Sequence, residues 1–360
     1  MSPLLKSVEE AGIEGLIRKR NPASIQPKDF FEGAEHLRAS FGKLVNCSPQ
    51  QVAIIPSVSY GMASAIKNLP VRPGRRALLV SDEFPSDVYS LQKWCAENEQ
   101  SLVTISAPET REKRGETWNG LILEHINENT SVIVLSSVHW ADGTLFDLAA
   151  IGARCQQFDV RLIVDGSQSV GALPMDVQAF HIDALICVGY KWMLGPYSLG
   201  LAYYGERINE GTPIEESWMN KSQAENFSRL TEYADGYAPG AARYNVGEFG
   251  NFISVPMLHT AIEQVLAWGV PEIQAYCREL TRPLAAFLRE NGVWVEEEAY
   301  RAGHLLGFPL APGTDGENVV KKLREKDIYV SLRGSSIRVS AHVYNTEADI
   351  EALVGALGSK

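Results

Sequence analysis

Apolar positions in the first two-thirds of the chain gather into short, nearly unbroken runs at residues 52–56, 76–81, 102–107, 131–138, 161–165, 184–188 and 199–204. Runs without polar alternation predict strands covered by helices on both faces, as in a parallel sheet. Between them, 59–68, 86–98 and 148–157 carry apolar residues at helical spacing. This βαβ rhythm predicts a doubly wound α/β domain.

Beyond about residue 251 the pattern changes. A long helical segment, 256–268 then 271–291, precedes shorter strands at 293–298, 307–309, 328–332 and 336–340. A last helix, 346–357, opens on Asn345-Thr346-Glu347, good N-cap chemistry. The division expected is a large domain over 20–254 and a smaller α+β lobe built from 1–19 and 255–360. The Gly- and Asp-rich stretch 233–250 reads as an ordered loop of functional length.

Composition narrows the partners. The chain has 360 residues, 45% hydrophobic and 21% charged, with a formal net charge of -11. An acidic chain without clustered Lys and Arg argues against nucleic acid. The five cysteines are scattered and lack metal-ligand spacing. No apolar run has the length of a membrane span, and the start lacks a signal peptide's apolar core. A cytoplasmic location is the expectation.

Open α/β sheets bind ligands at the carboxyl ends of their strands. The run RLIV ends in Asp165, and the run ALICV leads through Gly189-Tyr190 to Lys191. An amine that can form an imine and an acid that can pair with a protonated pyridine meet the main demands of pyridoxal chemistry. Singly, either residue reads as a surface lysine or a helix cap; leaving consecutive strands together, they point to one crevice. A phosphate needs N–H groups at a helix N-terminus, and Ser57-Val58-Ser59-Tyr60-Gly61 after the first strand fits. No G-x-G-x-x-G follows that strand and no G-x-S-x-G is present, which disfavours a dinucleotide-dependent dehydrogenase and an α/β-hydrolase.

The stretch VDGSQSVGALPMDV, followed by HIDALICVGYKWMLGPYSLGLAYYG, resembles the signature of the class V aminotransferase family. That family includes cysteine desulfurases, selenocysteine lyases, kynureninases and isopenicillin N epimerases. The resemblance implies fold type I with a mostly parallel seven-stranded sheet, pyridoxal 5'-phosphate as cofactor, and a homodimer with active sites at the subunit interface.

Carried over by position, Lys191 matches the Schiff-base lysine, Asp165 the pyridinium partner and Gln168 the residue at the ring hydroxyl. Asp82-Glu83-Phe84-Pro85-Ser86-Asp87 resembles the kynureninase ring-stacking loop, which lays Phe84 over the ring. Tyr190 resembles a phosphate-contacting tyrosine and joins Val58 and Ser59. Val188 departs from the desulfurase serine, a loss that Ser167 could make good. His139, in Val138-His139-Trp140-Ala141-Asp142-Gly143, matches the loop beside cofactor and substrate, as hydrogen-bond donor, proton carrier or plain structural residue. Arg338 matches the arginine that grips the substrate α-carboxylate. Trp140, with Tyr60, Tyr237 and Arg333, is a pocket candidate. In Arg243-Tyr244-Asn245-Val246-Gly247-Glu248, Glu248 stands where the family has threonine, so Asn245 or the Gly247 N–H would serve the partner's phosphate instead.

The loop before Arg338 is short and has no cysteine, which disfavours persulfide-forming desulfurase chemistry. Kynureninases commonly have histidine at Gln168. Transamination is the default expectation, because it needs no further nucleophile or leaving group. Kynureninase-like hydrolysis, β-elimination, racemisation and a non-catalytic pyridoxal-binding regulator are the alternatives.

Overall fold

The computed structural model describes residues 1–358. Its main sheet contains β1 (Val52–Ile55), β2 (Arg76–Val80), β3 (Ser101–Ile105), β4 (Thr130–Ser136), β5 (Arg161–Asp165), β6 (Ala184–Val188) and β7 (Gly200–Tyr204). The order is β1-β7-β6-β5-β4-β2-β3. Strands β2 to β6 pair in parallel, while β7 is antiparallel to both β6 and β1. All but β7 therefore direct their carboxyl ends to the same edge.

Helices α1 (Lys6–Arg18), α2 (Glu32–Val45), α3 (Val58–Lys67), α4 (Pro85–Glu97), α5 (Arg114–His125), α6 (Leu148–Gln157) and α7 (Ser254–Trp268) surround this sheet. Strand residues alternate between two apolar cores. Val52, Ile54, Leu78, Leu162 and Leu185 pack with α2, α5, α6 and α7; Ala53, Ile55, Leu79, Ile163 and Ile186 pack with α3 and α4. The unbroken apolar runs thus reflect two covered faces. Helix α1 lies on α7 at close range, since a Cβ at Gly15 would stand 2.1 Å from the Phe252 carbonyl oxygen.

Helix α8 (Val270–Glu290) runs from one core into the next. Val270, Ile273 and Cys277 pack with the large sheet. Leu280, Leu284 and Leu288 pack with β8 (Leu305–Pro309), β10 (Ser336–Ser340) and α10 (Glu347–Gly358). β9 (Ser331–Arg333) completes this second, antiparallel sheet, in the order β8-β10-β9, and α9 (Gly316–Arg324) precedes it.

Residues 293–298, expected as a strand, are irregular and end in a 3-10 turn, Glu298–Tyr300. The cause is Glu296, whose buried carboxylate accepts from Gly115 N at 3.3 Å and Arg114 Nη1 at 3.4 Å. The chain is thereby drawn to α5 instead of a sheet. Among the described residues, no helix is long and apolar enough to cross a membrane.

Candidate active site

The strand ends of β2, β4, β5 and β6 bring a set of polar groups to one place. Asp165 closes β5, opposite Ile186 in β6, and Lys191 follows three residues after β6 ends. Lys191 is half-buried and makes no ion pair among the described residues. Burial lowers its pKa, Arg338 and Arg333 push the same way, and Asp165 and Asp87 oppose them. A fraction of neutral amine at ordinary pH follows, as a nucleophile or base requires.

Asp165 is 4% exposed, and its Oδ1 accepts the Ser167 N–H at 2.7 Å. Beside it Asp87, from the first turn of α4, is fully buried within hydrogen-bonding reach of Asp165. Burial, then Asp165 and Glu83, raise the Asp87 pKa well above the ordinary aspartate value, which favours its neutral form. Glu83, also raised by burial, accepts from Phe84 N at 2.8 Å, Ser136 N at 2.7 Å and Ser136 Oγ at 2.5 Å. It fixes the loop after β2 against the end of β4.

That loop holds Phe84, whose ring centre lies 5.7 Å from Lys191 Nζ. Trp140 meets Phe84 edge-on, with centroids 5.8 Å apart and planes at 84°. Its indole N–H donates to Asp82 O at 2.6 Å. Arg338 Nη1 donates to Trp140 O at 2.6 Å, and the Arg333 guanidinium sits 5.5 Å from the Trp140 ring. Burial, aided by Arg333, pushes Arg338 down to about 10.

His139 is 2% exposed, and both ring nitrogens have protein partners: Nδ1 with Asp142 Oδ1 at 3.0 Å and Nε2 with Ser81 O at 3.3 Å. Burial would lower its pKa, but Asp142 and Glu83 outweigh it and the pKa rises. The ring therefore joins two strand-end loops and offers no unoccupied nitrogen to a ligand.

Gln168 is held twice. Trp192 Nε1, which can only donate, bonds Gln168 Oε1 at 3.2 Å, and His304 Nε2 donates to Gln168 O at 2.6 Å. The amide NH₂ is the end left for a ligand. His304 and the nearby His342, which stacks on Trp192 at 5.7 Å, are both held down at about 4 by burial.

At the other side stands the N-terminus of α3. Ser57 Oγ caps Tyr60 N at 3.3 Å and touches Ser59 Oγ at 2.9 Å, leaving the N–H groups of Val58 and Ser59 without helical partners. Tyr190 packs on Tyr197 at 4.6 Å, and its carbonyl accepts the Ser2 N–H at 3.1 Å. The N-terminal segment thus lies over this wall. Ser167 Oγ is buried without a partner, while the Tyr60 hydroxyl faces Glu215. Asn245 and Gly247 lie along the β1 edge: Asn245 Oδ1 accepts from Ile54 N at 2.8 Å, and Gly247 N–H bonds Glu215, which also faces Tyr60. Tyr237 is likewise engaged, donating to Glu216 at 2.8 Å beneath Lys221.

Sequence reasoning did not single out Asp87, Glu83, Trp192 or His304. An acid three residues into a helix reads as a dipole partner, and only its burial reveals another part. Of the cysteines, Cys187 lies on β6 within electrostatic reach of Asp165 but is sealed in the core. Cys95, Cys155, Cys187 and Cys277 are buried and Cys47 is half-buried; burial pushes Cys47 and Cys277 up to about 12 and Cys95 to about 11.

An orphaned Ser167 hydroxyl, unpaired helix N–H groups, a desolvated amine and a buried acid suit a polar, phosphorylated aldehyde. The aminotransferase class-V family model matches residues 21–353. The chain is 25% identical to an uncharacterized aminotransferase, YcbU, of Bacillus subtilis, over 92% of this chain and 85% of the relative. It is 24% identical to isopenicillin N epimerase of Streptomyces clavuligerus, over 89% and 82%. It is 22% identical to a kynureninase of Geobacillus thermodenitrificans, over 93% and 77%. Among solved structures, the cystine C-S lyase C-DES superposes with a TM-score of 0.85 at 22% identity, over 99% of this chain and 94% of that one. Sheet, crevice and second lobe all fall within the matched span: the chain belongs to the aminotransferase class-V family, whose cofactor is pyridoxal phosphate.

Proposed function

We propose that the protein is an aminotransferase acting on an α-amino acid. The observation that carries this reading is the desolvated side-chain amine of Lys191, within electrostatic reach of both Asp165 and Arg338. When bound, pyridoxal phosphate supplies an aldehyde for amine exchange and a protonated ring that takes up the electron pair of the broken Cα–H bond. Lys191 Nζ would hold the cofactor covalently, and its amine is the base that would carry the α-proton. Asp165 keeps the ring nitrogen protonated, and the Gln168 amide donates to the ring oxygen. Phe84 covers the ring. Val58, Ser59, Ser167 and Tyr190 hold the phosphate. Arg338 orients the substrate by its α-carboxylate, and Trp140 closes the pocket. His139 sets the position of the Trp140 loop.

Transfer of one proton by one base is all this residue set has to supply; hydrolysis, elimination or racemisation would call on a further base, acid or leaving group. The test is an absorbance spectrum with added pyridoxal phosphate, wild type beside Lys191→Ala, followed by amino acids. The expected result is a visible band dependent on Lys191, bleached to the pyridoxamine form by an amino acid and restored by a keto acid. Release of ammonia and a keto acid without pyridoxamine would select elimination. Absence of turnover with any amino acid would select a regulator.

A further inference from the structure

Strands β9 and β10 form a tight antiparallel pair with Ser336 opposite Arg333, Ile337 opposite Leu332 and Arg338 opposite Ser331. Directly opposed residues share a face, as do residues two apart on one strand. One face therefore presents Ile337 and Leu332 to the core of the second lobe. The other presents Arg333 and Arg338 together, as diagonal neighbours roughly 7–8 Å apart at their Cα atoms. Both side chains converge on Trp140, Arg338 at its carbonyl oxygen (2.6 Å) and Arg333 at its ring (5.5 Å). Trp140 in turn touches Phe84, beside Lys191.

Neither guanidinium has a carboxylate within ion-pair distance among the described residues. Some arginines elsewhere in the fold do: Arg114 pairs with Asp142 at 2.9 Å, and Arg207 with Asp183 at 2.6 Å. Arg333 donates through Nη1 only to its neighbour's carbonyl, Leu332 O, at 2.8 Å. The Nε atoms of both Arg333 and Arg338 are buried without a partner. Two like charges on one face, each short of hydrogen-bond acceptors, cost stability unless anions join them. Lys191 adds a third positive group in the same crevice, and Arg338 and Arg333 both lower its pKa.

An α-carboxylate fills one guanidinium fork. We infer that the second fork, Arg333, receives a second carboxylate, so that the preferred substrate is a dicarboxylic amino acid. The inference rests on the reading above that Arg338 holds the α-carboxylate. It assigns specificity to Arg333: a neutral side chain would leave that half-buried guanidinium without an anion, whereas a distal carboxylate completes it. Discrimination by an unpaired buried polar group is steeper than discrimination by size.

Two measurements test this. In the holoenzyme, spectral titration with aspartate, glutamate, alanine and norvaline gives the ratio of dicarboxylic to neutral affinity. In the apoprotein, calorimetry compares succinate and glutarate with butyrate. The expected wild-type preference is for the dicarboxylic ligand in both. Arg333→Gln should lower the affinity ratio about tenfold to a hundredfold, as loss of a charged hydrogen-bonding partner does. Arg333→Lys, which keeps the charge, should retain part of it. Arg338→Gln should weaken both ligand classes. Equal wild-type affinity for alanine and glutamate, or an Arg333→Gln ratio identical to wild type, overturns the inference. Were no visible band to form with pyridoxal phosphate, the aminotransferase reading would fall, while the succinate and butyrate titrations would still decide whether Arg333 and Arg338 grip two carboxylates.

Discussion

Arg338 Nη1 donates to the carbonyl oxygen of Trp140 at 2.6 Å, joining residues 198 positions apart in the chain. The bond links the second lobe's sheet to the loop after β4, so the group proposed to orient substrate is itself oriented by the large domain. A fork is needed: one arm serves Trp140 and the rest faces the crevice. Arg338→Lys keeps the charge but cannot do both. Its KM should rise about tenfold or more, with kcat less affected, in steady-state assays.

Asp87 and Asp165 are two acids with opposite sensitivities. Burial and the neighbours Asp165 and Glu83 favour the neutral form of Asp87, so Asp87→Asn replaces one neutral group by another of the same shape. Its kcat and absorbance band should stay close to wild type. Asp165→Asn removes the proposed anion beside the ring nitrogen, and kcat should fall at least about a hundredfold. Equal losses in the two variants would assign the working charge wrongly.

The buried histidines set an acid limit. His304 and His342 sit at about 4 in the folded chain, below the ordinary histidine value. Between those two values the unfolded chain binds protons that the folded chain does not, so stability falls as pH drops. The melting temperature should decline from pH 7 to pH 4.5. His342→Phe should flatten that slope, because it removes one of the two titrating rings. A pH-independent melting point over this range would contradict the burial assigned to them.

Gly171 adopts φ +100°, and a Cβ there would stand 2.6 Å from the Trp192 carbonyl oxygen. Gly171→Ala should lose about 1–3 kcal/mol in denaturant unfolding. Because Trp192 holds the Gln168 amide, the variant's cofactor band should also shift in wavelength.

The sheet was readable because its strands are covered on both faces, which turns them into unbroken apolar runs. Asp165 and Lys191 stood out because they follow consecutive strands at the edge where such sheets bind ligands. What escaped depends on contacts distant in sequence. The alternation at 293–298 looks like a strand, yet Glu296 turns inward to Arg114 and Gly115. Helix α5 buries little beyond Gly115, Trp118, Asn119 and Ile122, too weak a stripe to stand out. His139 was open to three readings, and only its partners Asp142 and Ser81 distinguish them. The pairing of Arg333 with Arg338 needs the register of β9 against β10, which spacing alone does not give.

The native thiols, sunk in the cores and shifted toward the protonated state, react poorly with electrophiles. A fluorescent maleimide would therefore prefer a cysteine engineered at an exposed site such as Tyr329, close to the β9–β10 hairpin. Distances between the two lobes can then be followed optically during ligand binding, with all five original cysteines left in place.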